Sequence, residues 1–332
     1  MQRMDKQGRA LKFLTLEADM RRYVDLYEEC LEGTEFEESL RLLQEGMFNQ
    51  AEQMIRALID KHGGADASAW SVLGLYFLAK KDLDNARRAI DRAMELSTES
   101  ILTINVAGDF ATFSGDFENG EQFYLASLDM VPDQLHPRMI LGNRYSVLER
   151  YEEAVEILLP LLESHPENEE VWRSLRASVG CLSDTAWMER IAHTLLQQFP
   201  EQYYAIWIMG NSFLRNGRFE EALEYCELAV ELREDDDLAW TMYGSVLNQL
   251  ARPKAALECH KRASELNKND PTTLSTLSLA HVMAGDMKQA FRVAMRVSRL
   301  APEMGVRLMT YLEDLEETEH SGGLIKRGNR RA

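Results

Sequence analysis

Apolar residues along this chain recur with helical spacing. Ala154, Leu158 and Leu161 stand at i, i+4 and i+7 and predict one buried helix face. Leu16, Met20, Tyr23, Tyr27 and Leu31 repeat the pattern near the N-terminus, as do Met304, Leu308, Leu312 and Leu315 near the C-terminus. Between these ends the helical stretches come in pairs, parted by short breaks such as SGD at 114–116, NGR at 216–218 and AGD at 284–286. Glycine in such a break takes the positive φ that ends a helix. No strand pattern competes with this reading.

The pairs repeat with a fixed period. Gly74, Gly108 and Gly142 follow one another at 34 residues, and Gly210 and Gly244 keep the same phase. Ala86, Gly120, Ala154, Ala222, Ala256 and Ala290 form a second series at that spacing, interrupted by Met188, and Pro132, Pro166, Pro200 and Pro302 form a third. Glycine inside a helix costs about 1 kcal/mol relative to alanine. A recurring glycine in the first helix and a recurring small residue in the second are the residue types that let two antiparallel helices approach closely. Gly142 and Ala154 are therefore expected to face one another, and proline at the block end stops the second helix.

A block with a large residue, Leu-Gly, an aromatic, Ala, an apolar residue and Ala again resembles the tetratricopeptide repeat. The block beginning at Ala67 carries Trp70, Leu73, Gly74, Phe77, Ala86, Ile90 and Ala93; the block beginning at Tyr203 carries Ile206, Met209, Gly210, Phe213, Gly217, Phe219, Ala222, Cys226 and Ala229. Seven blocks run without interruption over residues 67–304, and a weaker one precedes them, with Ala51 one residue out of phase. The resemblance implies an all-α fold, a right-handed superhelical solenoid of helix-turn-helix repeats. Its expected parts are an N-terminal helical cap (1–32), about eight repeats in one solenoid (33–304), a capping helix (305–319) and a basic flexible tail (320–332). Residues 169–202 depart from the pattern, with Arg176 in place of the glycine and Met188 in place of the alanine. Two readings stay open there, a local change of curvature and a specialised binding patch.

Composition narrows the function. The 332 residues are 45% hydrophobic and 28% charged, a profile of folded soluble proteins. No segment approaches the roughly 20 apolar residues of a membrane span, and no signal-peptide core stands at the N-terminus, so a cytoplasmic protein without membrane insertion is expected. A net charge of −18 opposes nucleic acid and anionic lipid and favours a neutral or basic protein partner. Cys30, Cys181, Cys226 and Cys259 lie far apart with no CxxC pair, and the seven histidines show no ligand spacing. Neither metal nor cofactor is expected, and no nucleotide or nucleophile motif points to catalysis.

In the family, the first helix of each repeat lines a concave groove. The resemblance carries that role onto Asn105, Asp109, Asn143, Arg173, Tyr204, Trp207, Asn211, Ser245 and Asn248. Asparagine both donates and accepts, which suits an extended peptide backbone. The clamp with which some family members grip an acidic chain end is absent, because Met139 and Trp207 stand at its lysine places and Arg173 is isolated. The expected function is a non-enzymatic scaffold holding a peptide or helix of a partner protein. Two rivals remain: a self-assembling structural protein that pairs through its apolar end caps, and a bacterial secretion or assembly chaperone.

Overall fold

The computed structural model describes residues 26–27 and 31–328, with side chains described as far as residue 317. Every regular element among the described residues is a helix. The N-terminal positions Leu16, Met20, Tyr23 and Cys30 lie outside the described residues. The helices come in consecutive pairs: α1 (Glu37–Gln44) with α2 (Phe48–Lys61), α3 (Ala67–Ala79) with α4 (Leu83–Leu96), and α5 (Ile101–Ser114) with α6 (Phe117–Met130). Then α7 (Leu135–Val147) meets α8 (Tyr151–Leu158), which a break at Pro160 separates from the single turn α9 (Leu161–Ser164). Proline has no N–H to continue the ladder, yet Ala154, Leu158 and Leu161 all stay buried, so the apolar face persists across the break.

The second half continues with α10 (Glu169–Gly180), α11 (Thr185–Gln198), α12 (Tyr203–Arg215), α13 (Phe219–Leu232), α14 (Asp237–Gln249) and α15 (Pro253–Leu266). It closes with α16 (Pro271–Met283), α17 (Met287–Leu300) and α18 (Pro302–Gly328). The last helix thus spans the expected 305–319 cap and runs on past residue 320. Leu308 and Leu312 of α18 are buried with Val293, Ala294 and Val297 of α17, as an end cap requires.

One turn joins the two helices of a pair. Gly115, Gly217 and Gly285 take φ of 84°, 74° and 82°, and the next residue's N–H reaches back to the carbonyl five residues earlier, as in Asp116 to Ala111 at 2.8 Å. This is the Schellman arrangement. Asp82, Asp116 and Asp286 then cap the second helix by accepting from the N–H of Asn85, Asn119 and Gln289. Trp70, Trp172 and Trp240 secure the other connection, each indole N–H donating to the carbonyl six residues back, at Gly64, Pro166 and Glu234.

The small residues sit where the pairs touch. A Cβ on Gly120 would stand 2.5 Å from Thr112 Oγ1 and 3.2 Å from the Gly108 carbonyl oxygen, so the two small-residue series do face one another there. At Gly142 the facing side chain is Leu158, whose Cγ would lie 2.4 Å from an added Cβ; Ala154, one turn earlier on α8, is not the nearest neighbour. Gly74 meets Ile90, Gly108 meets Tyr124 and Gly244 meets His260 at 2.7 Å each in the same way. Ser278 takes the glycine place of the last block, where its buried hydroxyl donates to the Ala290 carbonyl of the facing helix at 2.8 Å.

Packing divides the chain into two compact units, Met1–Ser178 and Val179–Ala332. In the first, α3 and α5 lie side by side; in the second, α14 packs on both α12 and α16, so first helices neighbour first helices. The boundary falls within α10, two residues after Arg176, in the block that departs from the repeat.

Candidate functional site

In the second unit, Tyr204, Trp207 and Asn211 lie on α12, and Ser245 and Asn248 on α14. Trp207 keeps only 9% exposure, because its ring packs against the end of α10, where an added Cβ on Gly180 would be 3.6 Å away. Tyr204 is buried as well: Arg233, the residue after α13, donates to its hydroxyl at 3.1 Å and lies over its ring. These two aromatics are part of the wall and not free anchors. Asn211 and Ser245 are partly exposed, Asn211 with its amide near Met188 Sδ and Ser245 with its hydroxyl returned to the Thr241 carbonyl at 2.8 Å. Asn248 stands 3.5 Å from His260 Nε2.

In the first unit, Asn143 of α7 is partly exposed, and Arg173 of α10 is exposed, 3.6 Å from Glu169 on its own helix. Asn105 and Asp109 of α5 depart from the expectation of an open groove, for both are fully buried. Asn105 donates to Gln134 Oε1 at 2.9 Å, and Gln134 in turn donates to the carbonyls of Ser127 and Val131, closing the connection between α6 and α7. Asp109 accepts from the Tyr124 hydroxyl at 2.6 Å and from the Tyr27 hydroxyl, and His136 Nε2 stands 3.1 Å away. The Tyr27 and His136 rings lie against one another, tilted by 36°, with centroids 4.4 Å apart. A carboxylate this deep is costly unless its lone pairs are satisfied, and the two tyrosine hydroxyls donate to it.

Sequence reasoning placed Asp109 on the first-helix face but missed its partners. His136 shares the repeat phase of Tyr204 and was legible by the same carry-over. Tyr27 lies before the periodic blocks, so no period could have assigned it to this site.

The remaining chemistry is quiet. Burial pushes the Cys226 thiol up to about 12 and the Cys259 thiol up to about 11, so neither supplies a thiolate at neutral pH. Burial also holds His260 down to about 4, and it is neutral. Among the described residues, Glu35, His62 and Asp66 form one cluster with ligand atoms close together, but Lys61 already holds Glu35 at 2.6 Å. No helix is long and apolar enough to cross a membrane among the described residues.

The model for the tetratricopeptide repeat matches residues 36–100, 189–238 and 209–271. BBSome complex member BBS4 of Bos taurus is 25% identical over 316 residues, which cover 88% of this chain and 54% of that protein. Anaphase-promoting complex subunit 7 of Dictyostelium discoideum is 30% identical over 105 residues, 30% of this chain and 18% of that protein. The chain therefore spans about half the length of the bovine relative and under a fifth of the other. Among solved structures, yeast Tom70 is similar in fold, with a TM-score of 0.50 at 16% identity over 87% of this chain and 63% of that one.

Proposed function

We propose, from the premise that the chain belongs to the tetratricopeptide-repeat family, that it is a non-enzymatic scaffold holding a segment of another protein against its first helices. The observation that carries this reading is the first-helix face itself. It leaves Asn143 partly exposed in the first unit and Asn211, Ser245 and Asn248 partly exposed in the second, while the aromatic and carboxylate groups on the same helices are buried. Side-chain amides and hydroxyls on a rigid helical wall can donate to and accept from a peptide backbone without charge matching. Two relatives named as members of protein complexes, BBS4 and anaphase-promoting complex subunit 7, support the class of function. The net charge of −18 favours a basic or neutral partner. We place the protein in the cytoplasm on the strength of its composition.

Affinity capture from the native cell tests the reading. The full chain and a variant with Asn143, Asn211, Ser245 and Asn248 all changed to alanine are compared at equal folded concentration. Recovery of the specific partners is expected to fall about tenfold or more in the variant, since a few well-placed contacts carry most binding energy. Undiminished recovery would remove the first-helix face from the account.

A further inference from the structure

The buried carboxylate of Asp109 is satisfied by a residue that does not belong to the repeats. Tyr27 lies 82 residues away in sequence, ahead of the first helix pair, yet it is fully buried against α5 and α7 and donates its hydroxyl to Asp109. Its ring lies against His136 at a tilt of 36°, and the Tyr124 ring meets His136 edge-on at 5.8 Å. Asp109 stands in repeat phase with Asn143 and Asn211, and His136 with Tyr204, so the tyrosine lies on the face where a partner segment is expected.

We propose that Asp109, His136 and Tyr124 form a tyrosine-reading pocket, filled in cis by Tyr27, and that a tyrosine-bearing segment of the partner takes its place. This rests on the first-helix face being the binding surface. The occupant's chemistry follows from the pocket. A flat ring lies against the imidazole, and a phenol O–H meets a carboxylate that would otherwise lose a donor in a dry site. Phenylalanine fills the ring space but leaves Asp109 short of one hydrogen bond. Phosphotyrosine would bring negative charge against that carboxylate and is rejected. Tyr27 thus acts as an internal competitor, and partner affinity is lowered by the fraction of chains in which it is seated.

A peptide titration tests this on the full chain. A fluorescent peptide with the sequence of residues 24–34, with serine in place of Cys30, is titrated into wild type and into Tyr27→Ala, with folding checked by circular dichroism. Tyr27→Ala is expected to bind it at least about tenfold more tightly than wild type. Changing the peptide's tyrosine to phenylalanine should cost about tenfold, the size of one hydrogen bond to a charged group. Phosphorylating it should abolish binding. Equal binding by the two chains, no binding to either, indifference to the hydroxyl, or tighter binding of the phosphopeptide would each overturn the proposal. If Tyr27→Ala does not fold, Tyr27→Phe keeps the ring and loses only the hydroxyl; it should still bind the tyrosine peptide several-fold more tightly than wild type, and parity would overturn the proposal. Partner capture that depends on Asn143 and Asn211 while the titration fails would remove the tyrosine pocket and leave the scaffold reading standing.

Discussion

At the scale of single residues, small size at the helix contact is what the chain repeats. An added methyl on Gly142 would stand 2.4 Å from Leu158 Cγ, whereas on Gly180 nothing lies closer than 3.6 Å. Gly142→Ala is therefore expected to lose about 2 kcal/mol, the overpacking cost less the gain in helix propensity. Gly180→Ala should be neutral or slightly stabilising. Urea unfolding of the two variants checks this, and equal effects would contradict it. His260, whose ring fills the space beside Gly244, makes a pH prediction. The unfolded chain takes up its proton near pH 6.5 and the folded one only near 4. Unfolding therefore binds a proton within that window, so stability is full above about 6.5 and falls by about 3 kcal/mol as the pH drops to about 4. His260→Gln should lose less stability between pH 7 and pH 4.5 than wild type does, and identical losses would refute the assignment. The glycine series made the close contacts legible in the sequence. Which side chain fills each gap was not, because Tyr124, Leu158 and His260 reach it from the same place in different blocks with different chemistry.

At the scale of elements, the inter-helix turn shows how far periodicity reads beyond residue type. Glycine marks this turn at positions 115, 217 and 285, but Lys81, Glu149 and Ala251 take the same left-handed conformation, with φ of 61°, 61° and 56°. The fixed period demands the turn, and the Schellman bonds hold it even where a side chain opposes it. Such a residue costs about 1 kcal/mol in that region. Ala251→Gly is expected to raise stability by about 0.5–1 kcal/mol, part of the gain being offset by the freer unfolded chain. A fall in the urea midpoint would contradict the turn geometry. The break at Pro160 was a different matter. The apolar face of Ala154, Leu158 and Leu161 reads as one helix, because periodicity registers which face is buried and not whether each N–H finds a carbonyl.

At the scale of the whole chain, the repeat architecture was almost entirely legible, since each block buries its apolar face only against its neighbours and so repeats the same residues. The candidate site was legible in part. Positions on the first helices followed from the period, but the burial of Asn105 and Asp109 depends on Gln134, in the connection between two helices, and on Tyr27, which lies before the periodic blocks. The C-terminal apolar stripe, taken in the sequence as a reason for self-association, is covered within the chain by α17. Light scattering is accordingly expected to give the mass of one chain, 38.1 kDa, across concentrations, and a doubling would restore the self-assembly reading. The central claim, that partners lie on the first helices, is tested most directly by site-specific photo-crosslinking in the native cell. A crosslinker at Asn143 or Asn211 is compared with one at the exposed second-helix positions Glu156 and Glu224. Partner adducts are predicted from the first two sites and not from the last two; adducts from Glu156 and Glu224 with none from Asn143 and Asn211 would contradict the account.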